Sequence, residues 1–331
     1  MNPIPTPSDK ATIPAWEIPS FRVFHALQRG TDKRWLFKLP GGLGDVVCAE
    51  PVIAFAIQNF LSVSISIQTD MPELFSHLPC RAYRPGEVDE NDFYVLDTIR
   101  PVRSLNWEFY THPLLHCVDY ISVSTLRCQL PNSAKQVRLP EFDLDASSPI
   151  HHVLRHKQNL VVVHAGRHWQ SKTFPVEWWN SVIDSLHFYG FDVCLIGKNV
   201  DETLGYVPIV RDDVIDLRDQ LSVSELVALL KGCKFVVTND SSPIHIAAAG
   251  EAFIAFVASC KHPDFLYHWR KGQFGWRMKD FGHDGLYNYM SWSPVQKDEV
   301  SIEFCTPEMM QRILPSPEEI PFFLSQLRSQ I

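Results

Sequence analysis

The sequence predicts an α/β protein: two Rossmann-like, doubly wound parallel-sheet domains facing a cleft. Three observations predict it. Strand-like and helix-like segments alternate in both halves of the chain. The run Asn159-Leu-Val-Val-Val-His164 is apolar without alternation, as in a parallel strand covered on both faces. Small-residue turns, Gly41-Gly-Leu-Gly-Asp45 and Asp240-Ser-Ser-Pro243, lie where a strand gives way to a helix, the place where such sheets bind ligands.

The elements follow in order. Pro3, Pro5, Pro7, Pro14 and Pro19 exclude helix and central strand from residues 1–20, which read as an arm. Arg34–Leu39 reads as a strand, Val46–Phe60 as a helix, and Ser62–Gln68, with period two, as a second strand. Asp92–Leu96 is a further short strand, and Leu105–Leu126 is mixed and partly helical. Apolar periodicity fades between Pro140 and His156, which sets a boundary between domains at 21–150 and 151–305. The second domain reads Asn159–His164 strand, Val176–Tyr189 helix and Val193–Ile196 strand. There follow helix Ser222–Lys231, strand Phe235–Thr238, helix Pro243–Ala249 and strand Phe253–Ala258. Ser222 with Glu225 forms a capping-box pattern. Residues 261–292 are dense in aromatics and charge, either a packed extension or a substrate-facing lid.

Composition narrows the classes. The chain has 331 residues, 45% apolar and 21% charged, as in folded proteins, and a net charge of −8 that disfavours a general polyanion binder. No apolar run reaches the roughly 20 residues that span a bilayer, so stable membrane insertion is not expected. The first residues lack a basic segment followed by an apolar one, so no secretory signal is read there. Eight scattered cysteines without a C-x-x-C pair read as buried, reduced thiols of a cytoplasmic protein. The fourteen histidines do not cluster in sequence, and no metal is expected.

Three segments can carry chemistry. Asp45 opens a helix after a glycine-rich turn and is either a helix cap or a functional carboxylate. The loop after His164 carries Arg167, His168 and Lys172, cations suited to a phosphate or equally to a solvated surface. Ser241 and Ser242 precede a helix bearing His245, and hydroxyls with N–H groups there suit an anion.

Taken together these segments resemble the ADP-heptose:lipopolysaccharide heptosyltransferase family. The resemblance rests on Lys38 and Leu43-Gly44-Asp45-Val46-Val47 with Pro51. It rests also on Val163-His164-Ala165-Gly166 with Lys172-Thr173-Phe174-Pro175, and on Asp240-Ser241-Ser242-Pro243-Ile244-His245-Ile246-Ala247-Ala248. Four positions depart from the family pattern. Ser242 stands for a glycine, Arg167 and His168 stand for hydroxyl residues, and Asn199 falls near the expected ribose carboxylate.

The resemblance implies the glycosyltransferase-B fold, with an acceptor-side domain at 21–150 and a nucleotide-sugar domain at 151–305. It implies a helical segment at 306–331 that returns to the first domain. It implies an inverting, metal-independent transfer from a nucleotide-diphosphate sugar, such as an ADP-heptose, without a cofactor. Asp45 would be the general base. Lys172, Arg167, His168, Asp240, Ser241, Ser242, His245 and Asn199 would surround the donor, with Lys38 and Gly44 on the acceptor side. The acceptor would be a glycan, a lipid-linked saccharide or a protein hydroxyl, with a modified nucleobase ranked after these. The alternatives are a nucleotide-binding homologue without transfer activity and, further off, an NAD-dependent oxidoreductase.

Overall fold

A computed structural model describes residues 34–98, 116–126, 128–155, 159–166, 172, 174–198, 209–258, 263–282 and 314–328. The proline-rich arm at 1–20, Arg167, His168, Asn199 and residues 283–292 lie outside these residues. The chain forms two compact units. The N-terminal unit comprises Met1–Arg138 together with His268–Trp276, and the C-terminal unit comprises Leu139–Tyr267 and Arg277–Ile331.

In the N-terminal unit, β1 (Arg34–Lys38) is followed by α1 (Leu43–Asn59) and β2 (Ser64–Gln68). Then come β3 (Arg81–Tyr83), β4 (Tyr94–Asp97) and α2 (Cys117–Leu126). The sheet runs β3-β2-β1-β4 and every pair is parallel. Trp35, Leu36 and Phe37 are buried in succession, as a central strand covered on both faces requires. The strand at β3 was not legible. Three residues, Arg-Ala-Tyr, are too few to show a period.

This unit also buries an ion pair. Lys135 Nζ lies 2.6 Å from Asp119 Oδ2, with the two side chains 9% and 1% exposed. The contact ties the segment after residue 130 to the first turn of α2.

In the C-terminal unit, α3 (Pro149–Arg155) precedes β5 (Leu160–His164), α4 (Val176–Phe188), β6 (Asp192–Leu195) and β7 (Ile215–Asp216). Next come α5 (Val223–Gly232), β8 (Phe235–Asn239), α6 (Ser242–Ala247) and β9 (Phe253–Val257). Short elements follow: α7 (Pro263–Leu266), the hairpin β10 (Trp269–Arg270) and β11 (Gln273–Phe274), and β12 (Met278–Asp280). The hairpin belongs to the N-terminal unit. The chain then reaches α8 (Glu319–Arg328). The second sheet runs β12-β9-β8-β5-β6-β7, all parallel. Counted from β5, that is the doubly wound order 3-2-1-4-5-6 read from the other edge. No helix among the described residues is long and apolar enough to cross a membrane.

Three expectations about organisation change. The boundary expected near residue 150 falls between Arg138 and Leu139, and residues 149–155 form a helix. Pro149 reads as a breaker, but it occupies the first helical position, where its missing N–H costs nothing. Ile150 and Val153 are then buried on one face. The first domain is not continuous, because His268–Trp276 completes it. The C-terminal helix was expected to return to the first domain. Instead Ile320 and Leu324 are fully buried in the core of the C-terminal unit, alongside Trp178, Trp179, Phe253 and Phe281. Aromatic surface on α4 and β9 gives an apolar helix a partner within its own unit. Ile320→Val should therefore destabilise this unit by about 0.5–1.5 kcal/mol, the usual loss for one buried methylene. Urea unfolding checks this, and an unchanged midpoint would remove α8 from that core.

Within the aromatic stretch, Phe281 is buried and the Tyr267 hydroxyl donates to Asp280 Oδ1 at 2.5 Å. Phe281 lies in the core of the C-terminal unit, so the stretch is packed at that point.

Candidate active site

In the C-terminal sheet, β5 and β8 are neighbours from which the chain winds outward in opposite directions. Ligands of doubly wound sheets bind at the carboxyl ends of such a pair. Here those ends interlock. Thr238 Oγ1 lies 3.4 Å from His164 Nδ1. A Cβ on Gly197, after β6, would come within 2.9 Å of the His164 ring, and Gly197 has φ +106°. Gly166 has φ +51°, and a Cβ there would overlap the Asn239 side chain at 1.8 Å. Only glycine satisfies both conditions at these two turns.

Asn239 locks the loop that follows β5. Its Nδ2 donates to the Lys172 carbonyl, while its Oδ1 is buried and makes no hydrogen bond among the described residues. Lys172 Nζ lies 2.8 Å from Asp240 Oδ2, the side chains being 19% and 5% exposed. A carboxylate so placed aims the ammonium rather than confronting an anion itself. The structure thus brings Lys172, Asp240 and Ser241 to one strand end. Ser241 is the residue before α6, and its side chain makes no capping bond. Ser242 is the first residue of that helix and is absent from the residues with positive φ, so replacing glycine there brings no left-handed strain. His245 is buried on α6. Sequence reasoning missed Asn239 and His164 as parts of this corner, although both lay within the quoted segments. A strand-end asparagine and histidine carry no spacing signal, and their role follows only from the adjacency of β5 and β8.

In the N-terminal sheet the corresponding pair is β1 and β4. The turn after β1 carries Gly41 and Gly42, and α1 begins at Leu43. Asp45 is exposed, and its Oδ2 accepts a hydrogen bond from the Gly42 N–H at 3.2 Å. A Cβ on Gly41 would meet the Asp45 Cβ at 2.7 Å, so the turn folds tightly over this carboxylate. Asp45 thus does tie down the helix start while remaining open to solvent. Gly44 lies in the same first turn. The Lys38 ammonium, at the end of β1, is paired with Glu90 Oε1 at 2.6 Å.

The cysteines divide sharply. Burial pushes Cys80 and Cys128 up to about 11, and Cys194 and Cys233 up to about 12. Cys117 goes the other way. Burial raises it too, but a hydrogen bond from Cys48 and the neighbouring imidazoles of His116 and His268 together hold it well below the ordinary thiol value.

Comparison with known proteins agrees with the resemblance. The model of glycosyltransferase family 9 (heptosyltransferase) matches residues 113–254. No curated protein matches the chain. Among solved structures, the glycosyl transferase family 9 protein from Veillonella parvula is 14% identical with a TM-score of 0.60, over 90% of this chain and 98% of that one. The ADP-heptose lipopolysaccharide heptosyltransferase II of E. coli is 16% identical with a TM-score of 0.56, over 90% and 99%. TibC from enterotoxigenic E. coli, an iron-containing dodecameric glycosyltransferase, is 16% identical with a TM-score of 0.60, over 91% and 77%. The chain therefore shares the glycosyltransferase-B fold of these proteins and is similar to glycosyltransferase family 9.

Proposed function

We propose that the protein transfers a sugar, a heptose or a relative of one, from a nucleotide-diphosphate donor to an acceptor hydroxyl with inversion at the anomeric carbon. The observation that carries this reading is the Lys172–Asp240 pair at the β5/β8 strand ends. It is a half-buried cation held by a buried carboxylate, at the position where a doubly wound sheet receives a nucleotide.

In this reading the C-terminal unit holds the donor. Lys172 and the Ser241–Ser242 turn face the diphosphate, with Arg167, His168, His245 and Asn199 as further donor-side residues. The N-terminal unit supplies Asp45, with Lys38 and Gly44 on the acceptor side. The Asp45 carboxylate takes the proton of the acceptor hydroxyl as its oxygen attacks the anomeric carbon. The bond from that carbon to the phosphate oxygen breaks, and the nucleoside diphosphate leaves with the electron pair. Negative charge grows on the leaving phosphate, so the Lys172 ammonium stabilises the transition state more than the ground state. These steps run on side chains, without a metal on the diphosphate. A cytoplasmic setting suits a soluble nucleotide-sugar donor. The acceptor is a glycan, a lipid-linked saccharide or a protein hydroxyl.

A second reading, a nucleotide-binding homologue without transfer, is favoured by one contact. Asp45 is already engaged with the Gly42 N–H, as a helix-start residue alone would be.

The donor site is tested at Lys172. Lys172→Gln should weaken binding of ADP or UDP by about 1–3 kcal/mol, the range for a charge-assisted hydrogen bond. Calorimetry measures it, with NAD as the comparison ligand. Because Asp240 loses the Lys172 ammonium, the melting curve of the variant is recorded alongside and should fall. A well-folded variant with unchanged diphosphate affinity would remove Lys172 from the donor site.

A further inference from the structure

The N-terminal unit holds a second cluster of reactive groups. Cys48 lies on α1, one turn beyond Asp45, and Cys117 is the first residue of α2. His268 opens the short segment that returns to this unit. All three are buried, at 3%, 5% and 0% exposed. One ligand atom from each lies within 4.8 Å of the others. Cys117 Sγ is 3.8 Å from His268 Nε2. Around a tetrahedral zinc ion, bonds of about 2.3 Å to sulfur and 2.0–2.1 Å to nitrogen place such atoms roughly 3.5–3.8 Å apart. The spacing is thus already close to that of a filled site.

His116 completes the surroundings in a different role. Its Nδ1 accepts the Val118 N–H at 3.2 Å, which leaves the proton of the neutral ring on Nε2. That Nε2 lies 3.7 Å from Cys117 Sγ, and the ring stands edge-on to His268 at 5.1 Å between centroids. An N–H aimed at a thiolate steadies a metal-bound sulfur without binding the metal.

We propose that Cys48, Cys117 and His268 bind one transition-metal ion of the zinc or ferrous class, with His116 as a positioning residue at the Cys117 sulfur. Two thiolates and an imidazole are the donor set such ions prefer over magnesium or calcium. Sequence spacing hides the site, because its ligands come from three distant segments with no C-x-x-C pair. The ion replaces two thiol protons, which leave to solvent as it binds. Its placement joins residues 151 apart in sequence, Cys117 and His268, so its expected role is to hold the returning segment onto the N-terminal unit. This departs from the sequence-based expectation of a protein without metal.

The test uses the full chain, purified anaerobically and gel-filtered, with metal measured by mass spectrometry before and after loading with Zn²⁺ alone. Roughly one tightly held ion per chain is expected. Cys48→Ser and Cys117→Ser should each lose most of it, whereas Cys80→Ser should keep it. Should the variants fold poorly, Co²⁺ loading of the unaltered chain decides. The expected result is thiolate-to-cobalt charge-transfer absorption with the intense visible bands of a tetrahedral site. Absence of those bands, metal content well below one ion per chain, or a Cys48–Cys117 disulfide in anaerobic protein would each overturn the proposal.

Discussion

Asp45→Asn is expected to lower turnover by about 10²–10⁴-fold, the usual contribution of a positioned general base. Donor binding should be unchanged, because the groups assigned to the diphosphate belong to the other unit. Stability should be nearly unchanged as well. The Asn side-chain oxygen can still accept the Gly42 N–H now bound by Asp45 Oδ2, and asparagine serves a helix start about as well as aspartate. The variant therefore separates two roles that one contact leaves superimposed. As a base, the carboxylate is indispensable; as a helix-start residue, it is replaceable. Measurement takes one melting curve, one calorimetric titration with a nucleoside diphosphate and one rate with the accepted sugar donor. A folded Asp45→Asn protein that binds diphosphate and turns over at the native rate would dismiss Asp45 as the base. A protein that binds diphosphate but never transfers, even unaltered, would favour the binding homologue.

Lys135→Met is expected to destabilise the N-terminal unit by about 3–5 kcal/mol, the usual penalty for stranding one partner of a buried ion pair. Asp119 would be left 1% exposed and charged in the interior. Its second oxygen, Oδ1, is buried and has no hydrogen bond among the described residues, so little else compensates it. Removing both charges differs. Asp119→Leu with Lys135→Met should recover much of the loss, because two apolar groups need no desolvated partner. Denaturant unfolding of the two variants gives the answer. Equal loss in the single and double variants would mean that the residues contribute through packing and not through charge.

The fold was legible where hydrophobic pattern alone decides it. Residues 159–164 announce a buried parallel strand, and the Ser222–Glu225 pair marks a helix start that the structure closes with hydrogen bonds in both directions. The two-residue strand at Ile215–Asp216 and the three-residue strand at Met278–Asp280 carry no period, and only pairing with a neighbour defines them. The candidate site was partly legible. The turn at Asp240 showed an anion-binding composition, but its partnership with Lys172 is a tertiary contact between loops far apart in sequence. Asn239 was overlooked because its importance comes from a glycine at 166 that admits it. The cysteine and histidine cluster was illegible for the same reason: no local spacing encodes a meeting of residues 48, 117 and 268.

The return of residues 268–276 to the N-terminal unit has a consequence for how the chain is made. A ribosome delivers residues in order, at about 5–20 per second. The first unit could not close when its own 138 residues had emerged; it would wait for the greater part of the second to be synthesised. The second unit waits as well, since β12, the last strand of its sheet, comes directly after that detour. Until then Phe253–Val257 is a fully apolar strand with one open edge, the kind of surface that recruits other chains. Nascent molecules should thus be most prone to aggregate late in synthesis. A fragment ending at residue 267 would be caught permanently in that state, with both of its units unfinished.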